Sequence, residues 1–216
     1  MKEAKAHYLP LLDLVDIEEV SSLLDEWVID LQHVDCVNWQ NEYPYYPGVF
    51  FKIARSESAF FIKFVVKENN VKAIYGKDQD PVYEDSCVEF FYKKTDSDTY
   101  INFEFNCIGT CIATERKSRE EIINVFPDNV MKKIKRFSSL GNKTFEEKTG
   151  HFKWHLTVKI PLEILGIDIK AIPTVFMANV YKCGDKTSTP HFVSWNPIVT
   201  TTPDFHCPQF FGKIFL

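Results

Sequence analysis

The chain has 216 residues, a length that suits one large all-β domain and can bury a core without disulfides or a metal. A formal net charge of −5 and a pI near 5.7 exclude the clustered Lys/Arg surface that a nucleic-acid partner needs. The basic run Lys132, Lys133, Lys135 and Arg136 is short and reads as a solvated strand or turn.

Met1 to Asp16 carries acids among its apolar residues and lacks the unbroken apolar stretch of a secretory signal. No segment is apolar for long enough to span a bilayer. With Met1 as the natural start, the expectation is a cytoplasmic protein with no membrane partner. The six cysteines (Cys36, Cys87, Cys107, Cys111, Cys183, Cys207) contain no CxxC pair, so reduced thiols packed as small apolar residues are expected.

In chain order, Asp16-Ile17-Glu18-Glu19 has the form of a capping box, and Ile17, Val20, Leu23, Leu24 and Trp27 follow at helical spacing. Residues 1–35 are therefore expected to be a helical extension of a single domain spanning 1–216. Asn38 to Gly48, rich in Tyr and Pro, is expected to be a loop. Val49–Ala54, Ala59–Lys67 and Val71–Tyr75 read as strands, with turns at Arg55-Ser56-Glu57 and Glu68-Asn69-Asn70. Ser86–Tyr92 and Thr99–Asn106 follow, with a sharp turn at Gly109 between Cys107 and Cys111. Ser118–Val125, with acids early and Pro127 behind it, reads as a second short helix. His151–Ile160, Thr174–Tyr181 and Gly212–Leu216 complete the strands. The expected fold is an antiparallel β-sandwich, immunoglobulin-like or jelly-roll-like, with one or two short helices.

Alternation sorts the side chains by face. Ile101, Phe103 and Phe105, like Val88, Phe90 and Tyr92, belong to the core. Glu89, Glu104 and Asn106 then share the opposite face, and Asn179 joins them if its strand is in the same sheet. A wet sheet surface accounts for such residues as well as a site does. A sugar site needs rings that stack on pyranose faces and fixed acids or amides for the hydroxyls. Tyr83 and Trp195, both beside turn or loop residues, are the ring candidates. Trp154 lies in an alternating run and reads as core.

Four blocks carry a resemblance to a known family. The run from Asp80 to Phe91 resembles the acidic turn and strand of family 9 carbohydrate-binding modules. Tyr100 to Asn106, with Gly109 after it, is similar to the next strand of that family. Trp154 to Pro161 with Leu165-Gly166 resembles its Trp-containing strand. Ser194 to Pro197, with Pro203 to His206 and Phe210 to Ile214, is similar to its C-terminal signature. The resemblance implies a β-sandwich akin to the DOMON domains that binds the end of a glycan, such as xylan, or a small sugar, without catalysis. It implies a clamp of Tyr83 and Trp195 over a floor of Glu89, Glu104, Asn106 and Asn179. Tyr83 stands where the family's clamp is described as Trp, and Glu104 stands in place of a basic residue expected near the floor.

Other chemistries stay open at this stage. Glu89 and Glu104 on neighbouring strands could serve a glycoside hydrolase, which needs carboxyls ~5–9.5 Å apart. No cofactor is expected, although the resemblance admits structural calcium, for which Asp78, Asp80, Glu84 and Asp85 supply oxygens without EF-hand spacing. Cys183, His191, His206 and Cys207 are zinc candidates, and haem between Met177 and His191 or His206 is the third alternative.

Overall fold

The computed structural model describes residues 1–27 and 29–216. Two sheets face each other across the main core, as the alternating Phe-rich runs require. The strands in chain order are β1 (Glu3–Lys5), β2 (His7–Tyr8), β3 (Gln32–Val34), β4 (Gly48–Arg55), β5 (Ala59–Ala73), β6 (Cys87–Lys93) and β7 (Tyr100–Asn106). After these come β8 (Cys111–Arg116), β9 (Ile122–Val125), β10 (Lys135–Ser138), β11 (Phe145–Pro161), β12 (Val175–Cys183), β13 (Phe192–Ser194) and β14 (Gly212–Phe215). One sheet runs β1-β14-β12-β6-β7-β8-β9, with β13 also on β12. The other runs β10-β11-β5-β4-β2, with β3 also on β4. Among the described residues no helix is long and apolar enough to cross a membrane.

The helix α1 (Ile17–Glu26) forms where the spacing predicts it. It lies over the outer face of the second sheet, where Val20 and Leu24 join Ala54, Ala59 and Phe61 in a separate apolar cluster. Lys63 crosses from the sheet beneath it to donate to Ser21 O and Asp25 Oδ2, both at 2.7 Å. Residues 1–35 are more than a helical extension, however. β1 pairs in parallel with β14 and β2 with β4, so the first eight residues contribute to both sheets.

Two local expectations fail for identifiable reasons. Ser118–Val125 is not a helix. Ser118 Oγ accepts from the amides of Glu120 and Glu121 to close a turn, and the β-branched Ile122, Ile123 and Val125 then pair with β8. The short helix α2 (Asp128–Met131) comes later, after Pro127.

Glu68-Asn69-Asn70 is not a turn either; β5 runs straight through it. Glu68 points between the sheets, where its carboxylate lies 2.9 Å from Lys182 Nζ of β12 and accepts from Trp154 Nε1 at 2.6 Å. Asn70 donates to Glu147 Oε1 at 2.8 Å. Glu68 and Asn70 fit in a strand because each finds a polar partner there, and the exposed Asn69 needs none.

Removing one half of a buried ion pair strands the other. Lys182→Met should lower stability by about 3–5 kcal/mol, and adding Glu68→Gln should recover much of the loss. Urea denaturation of the two single variants and the double variant measures the coupling.

Candidate functional site

The outer face of the larger sheet carries the polar residues that alternation assigns to it. Its cross-strand register places Cys183, Cys87 and Asn106 in one row, Tyr181, Glu89 and Glu104 in the next, and Asn179, Phe91 and Asn102 in a third. The face is largely covered. Trp39, Ile198, Phe205 and Phe211 from loops pack on Phe91, Tyr100 and Tyr181 in a second apolar cluster. Phe205 stacks on Tyr181 with ring centroids 4.2 Å apart, and the Tyr181 hydroxyl donates to Phe205 O.

Where this cover stops short, a cavity of about 480 Å³ opens onto the sheet. Glu89 and Glu104 form its floor, with Ile112 and Cys183 beside them; Tyr83, Tyr43, Phe192 and Phe205 give it aromatic walls. Arg116, Arg119, Asp185, Asp204 and His206 complete the lining. Tyr83 is 39% exposed and stacks on no aromatic ring among the described residues.

Of the six expected site residues, Tyr83, Glu89 and Glu104 meet here. Trp195 does not. It is fully buried between the sheets, edge-on to Phe51 of β4 with centroids 5.6 Å apart. Its amide bonds to Val180 O and carries the chain past the strand edge, which turns the ring inward. The clamp expected of Trp195 is therefore corrected to a core role.

Asn106 and Asn179 are also off the cavity, their amides bonded mainly to the protein's own backbone. Asn106 Oδ1 accepts from Ile108 and Thr110, closing the turn at Gly109 (φ +89°), while its Nδ2 donates to Tyr75 O and Asp85 Oδ2. Asn179 clips the chain at Asn196 through Asn196 N at 2.8 Å and Asn196 O at 3.2 Å. Both amides build the site's frame, and neither residue lines the cavity.

The two floor acids are opposed across β6 and β7 and nearly inaccessible, 3% and 5% exposed. Burial pushes Glu104 up to about 7, although Asn102 Nδ2 donates to its Oε1 at 2.8 Å and Arg116 lies nearby. Burial, reinforced by Glu104, also pushes Glu89 well up. Burial takes Asp185 up to about 6 and His206 down to about 3. Near neutral pH the floor can thus hold a proton and offer a donor as well as acceptors, and His206 is uncharged. Glu104 Oε2 is buried without a partner.

Sequence reasoning missed the cationic side of the cavity. Arg116 Nε donates to Asn102 Oδ1 and Thr114 Oγ1, which fixes its guanidinium over the floor, and Arg119 lies 3.7 Å from Asp204. The alternation of Ile112, Thr114 and Arg116 in Cys-Ile-Ala-Thr-Glu-Arg was the available signal.

The zinc and haem candidates do not assemble. His191 faces Lys182 Nζ at 2.7 Å, His206 bonds the Tyr100 hydroxyl at 2.9 Å, and Met177 does not line the cavity. The acidic turn is dispersed. Asp78 binds Arg136, Glu84 binds Lys186 and the Tyr75 hydroxyl, Asp85 accepts from the amides of Ile74 and Tyr75, and Asp80 accepts from the Lys77 amide. All six cysteines are free thiols, five of them buried.

A covered outer face with one polar cavity at its margin defines a ligand-binding β-sandwich. The profile of carbohydrate-binding family 9 matches residues 18–216, and the chain belongs to that family. It is similar, with 38% identity over 99% of this chain and 98% of the other (TM-score 0.92), to a protein of Bacteroides uniformis ATCC 8492 ascribed a carbohydrate-binding role. Family 9 modules from Caldicellulosiruptor kristjanssonii share the fold. One, solved with glucose, is 12% identical over 99% of this chain and 95% of its own (TM-score 0.60). Another, solved with cellotriose, is 11% identical over 99% and 93% (TM-score 0.57). No curated protein matches the chain.

Two outcomes test this geometry. Trp195→Ala should cost about 3–5 kcal/mol of stability, as core truncations do. Glu104 is held above its unfolded value, so between about pH 4.5 and 7 the folded chain binds more protons and its stability falls as pH rises. Glu104→Gln should therefore match the parent's melting temperature near pH 5 and exceed it by several degrees at pH 8. Thermal melts in chelator-containing buffer across that range show the divergence.

Proposed function

We propose that the cavity binds the end of a glycan or a small sugar and does not cut it. The observation that carries this reading is the pairing of an open, unstacked Tyr83 ring with a floor of buried, incompletely bonded carboxyls. Ring faces take up the apolar side of a pyranose, and Glu89, Glu104 and Arg116 supply acceptors and donors for its hydroxyls. The partner ring across the cavity comes from Tyr43, Phe192 or Phe205, in place of Trp195. About 480 Å³ lies within the roughly 300–1,000 Å³ of small-molecule sites, which fits a chain end better than a long polymer.

Hydrolysis calls for an acid and an ionised carboxylate flanking the scissile bond. Here both acids lie side by side on one floor, and burial favours the protonated form of each. That arrangement suits recognition and supports a non-catalytic role.

Glucose and cellotriose, the sugars held by the two distant modules, are the first probes, followed by xylan oligosaccharides on a glycan array. Tyr83→Ala should weaken binding of the best sugar about tenfold by calorimetry, while the melting temperature moves little because the ring is half-exposed. Incubation with chromogenic glycosides should release no product. Turnover abolished by Glu89→Gln or Glu104→Gln would replace this reading with a hydrolase.

A further inference from the structure

Below the cavity, three side chains with metal-binding atoms meet on two adjacent strands. Cys87 and Cys183 are directly opposed across β6 and β12, and Glu89 follows Cys87 by two residues on the same face. One donor atom from each, two Sγ and a carboxylate oxygen, all lie within 4.8 Å of one another, and Cys183 Sγ is 3.1 Å from Glu89 Oε1. This is the one such group among the described residues. We propose that Cys87, Glu89 and Cys183 bind a thiophilic divalent cation, zinc above all, with a fourth position open to the cavity.

The distances suit a tetrahedral ion. Zinc bonds of about 2.3 Å to sulfur and about 2.0–2.2 Å to oxygen place neighbouring donors roughly 3.4–3.8 Å apart. The 3.1 Å contact between Cys183 and Glu89 and the 4.8 Å limit on the whole group bracket that range, so side-chain rotations that move the donor atoms by under about 2 Å complete the triangle. Two sulfurs select against calcium and magnesium, which prefer oxygen, and in favour of zinc-like ions. All three donors stand on paired strands, which fixes their spacing before the metal arrives.

Access and surroundings fit as well. Cys183 and Glu89 line the open cavity, which gives the ion a route in and a place for a water or a ligand hydroxyl as fourth donor. Glu104, opposed to Glu89, has the buried Oε2 without a partner that such a water would bond. Binding releases the two thiol protons and that of the Glu89 carboxyl to water in the cavity, and Arg116 and Arg119 in the same lining offset the negative charge of the donor set. Glu89 serves in both readings, but the test of the ion site uses no glycan, so its failure and that of the sugar reading are separate outcomes.

Cadmium titration of the purified protein in a phosphine reductant tests the proposal. The expected result is a thiolate-to-metal charge-transfer band that saturates at one ion per chain. Cys183→Ala should weaken it by more than about tenfold, while Cys36→Ala and Cys207→Ala leave it unchanged. If loss of Cys183 prevents folding, X-ray absorption on the zinc-loaded parent decides instead, with two sulfur neighbours expected. A parent with no band at saturating cadmium, a band that survives in a folded Cys183→Ala, or a zinc shell without sulfur overturns the proposal.

Discussion

The ion pair between Lys182 of β12 and Glu68 of β5 governs more of this molecule than any other polar contact. Both groups are wholly buried, and they are the charged bridge from one sheet to the other. A charge in that position is tolerable only when its partners are fixed. Lys182 Nζ is held by Cys183 O and His191 Nε2, and Glu68 by Trp154 Nε1. Because alternate side chains point to opposite faces, turning Lys182 inward turns Tyr181 and Cys183 outward. The same contact that ties the sheets together therefore delivers Cys183 to the cavity floor and Tyr181 to the aromatic cover above it.

The outer face built in this way is half a second core. Phe91, Tyr100 and Tyr181 are buried there as completely as residues between the sheets, because the segment from Ile198 to Phe211 returns across them. Glu89 and Glu104 lie at the edge of that cover, out of bulk water yet open to the cavity. Their raised proton affinities follow from this half-enclosed position. A carboxyl oxygen left unbonded there costs stability in the free protein and is the kind of group that a hydroxyl or an ion-bound water satisfies.

Strand parity made much of this legible in the sequence. The assignment of Val88, Phe90, Ile101, Phe103 and Phe105 inward and Glu89 and Glu104 outward needs only the alternation of their residue types, and the structure agrees. What alternation cannot reveal is which polar residues find buried partners. Glu68-Asn69-Asn70 has the composition of a turn, but its pairing with β11 and the partners Lys182, Trp154 and Glu147, all distant in sequence, make it a strand. Trp195 misled for the converse reason. Its neighbours Asn196 and Pro197 mark a loop, but a loop that crosses a strand edge can send its ring into the core. The resemblance located the family correctly and could not by itself assign the clamp.

The division of labour between the two faces also explains where binding properties reside in such a fold. The inner face is held by interdigitating Phe, Val and Ile side chains and by one ion pair, and changes there are paid for in stability. The cavity instead takes its floor from β6 and β7, flanked by β8 and β12, and most of its walls from five separate connections, which contribute Tyr43, Tyr83, Arg119, Asp185 and the run Pro203 to His206. Those connections are constrained by a few backbone bonds, such as Asp185 N to Tyr83 O, rather than by sheet register. The exposed Tyr83 ring contributes little to holding the sandwich, whereas replacing Asn106 or Asn179 removes a clip that shapes it. The proposed site is therefore shaped by the loops and the floor acids, while the fold that presents them is set by the inner face.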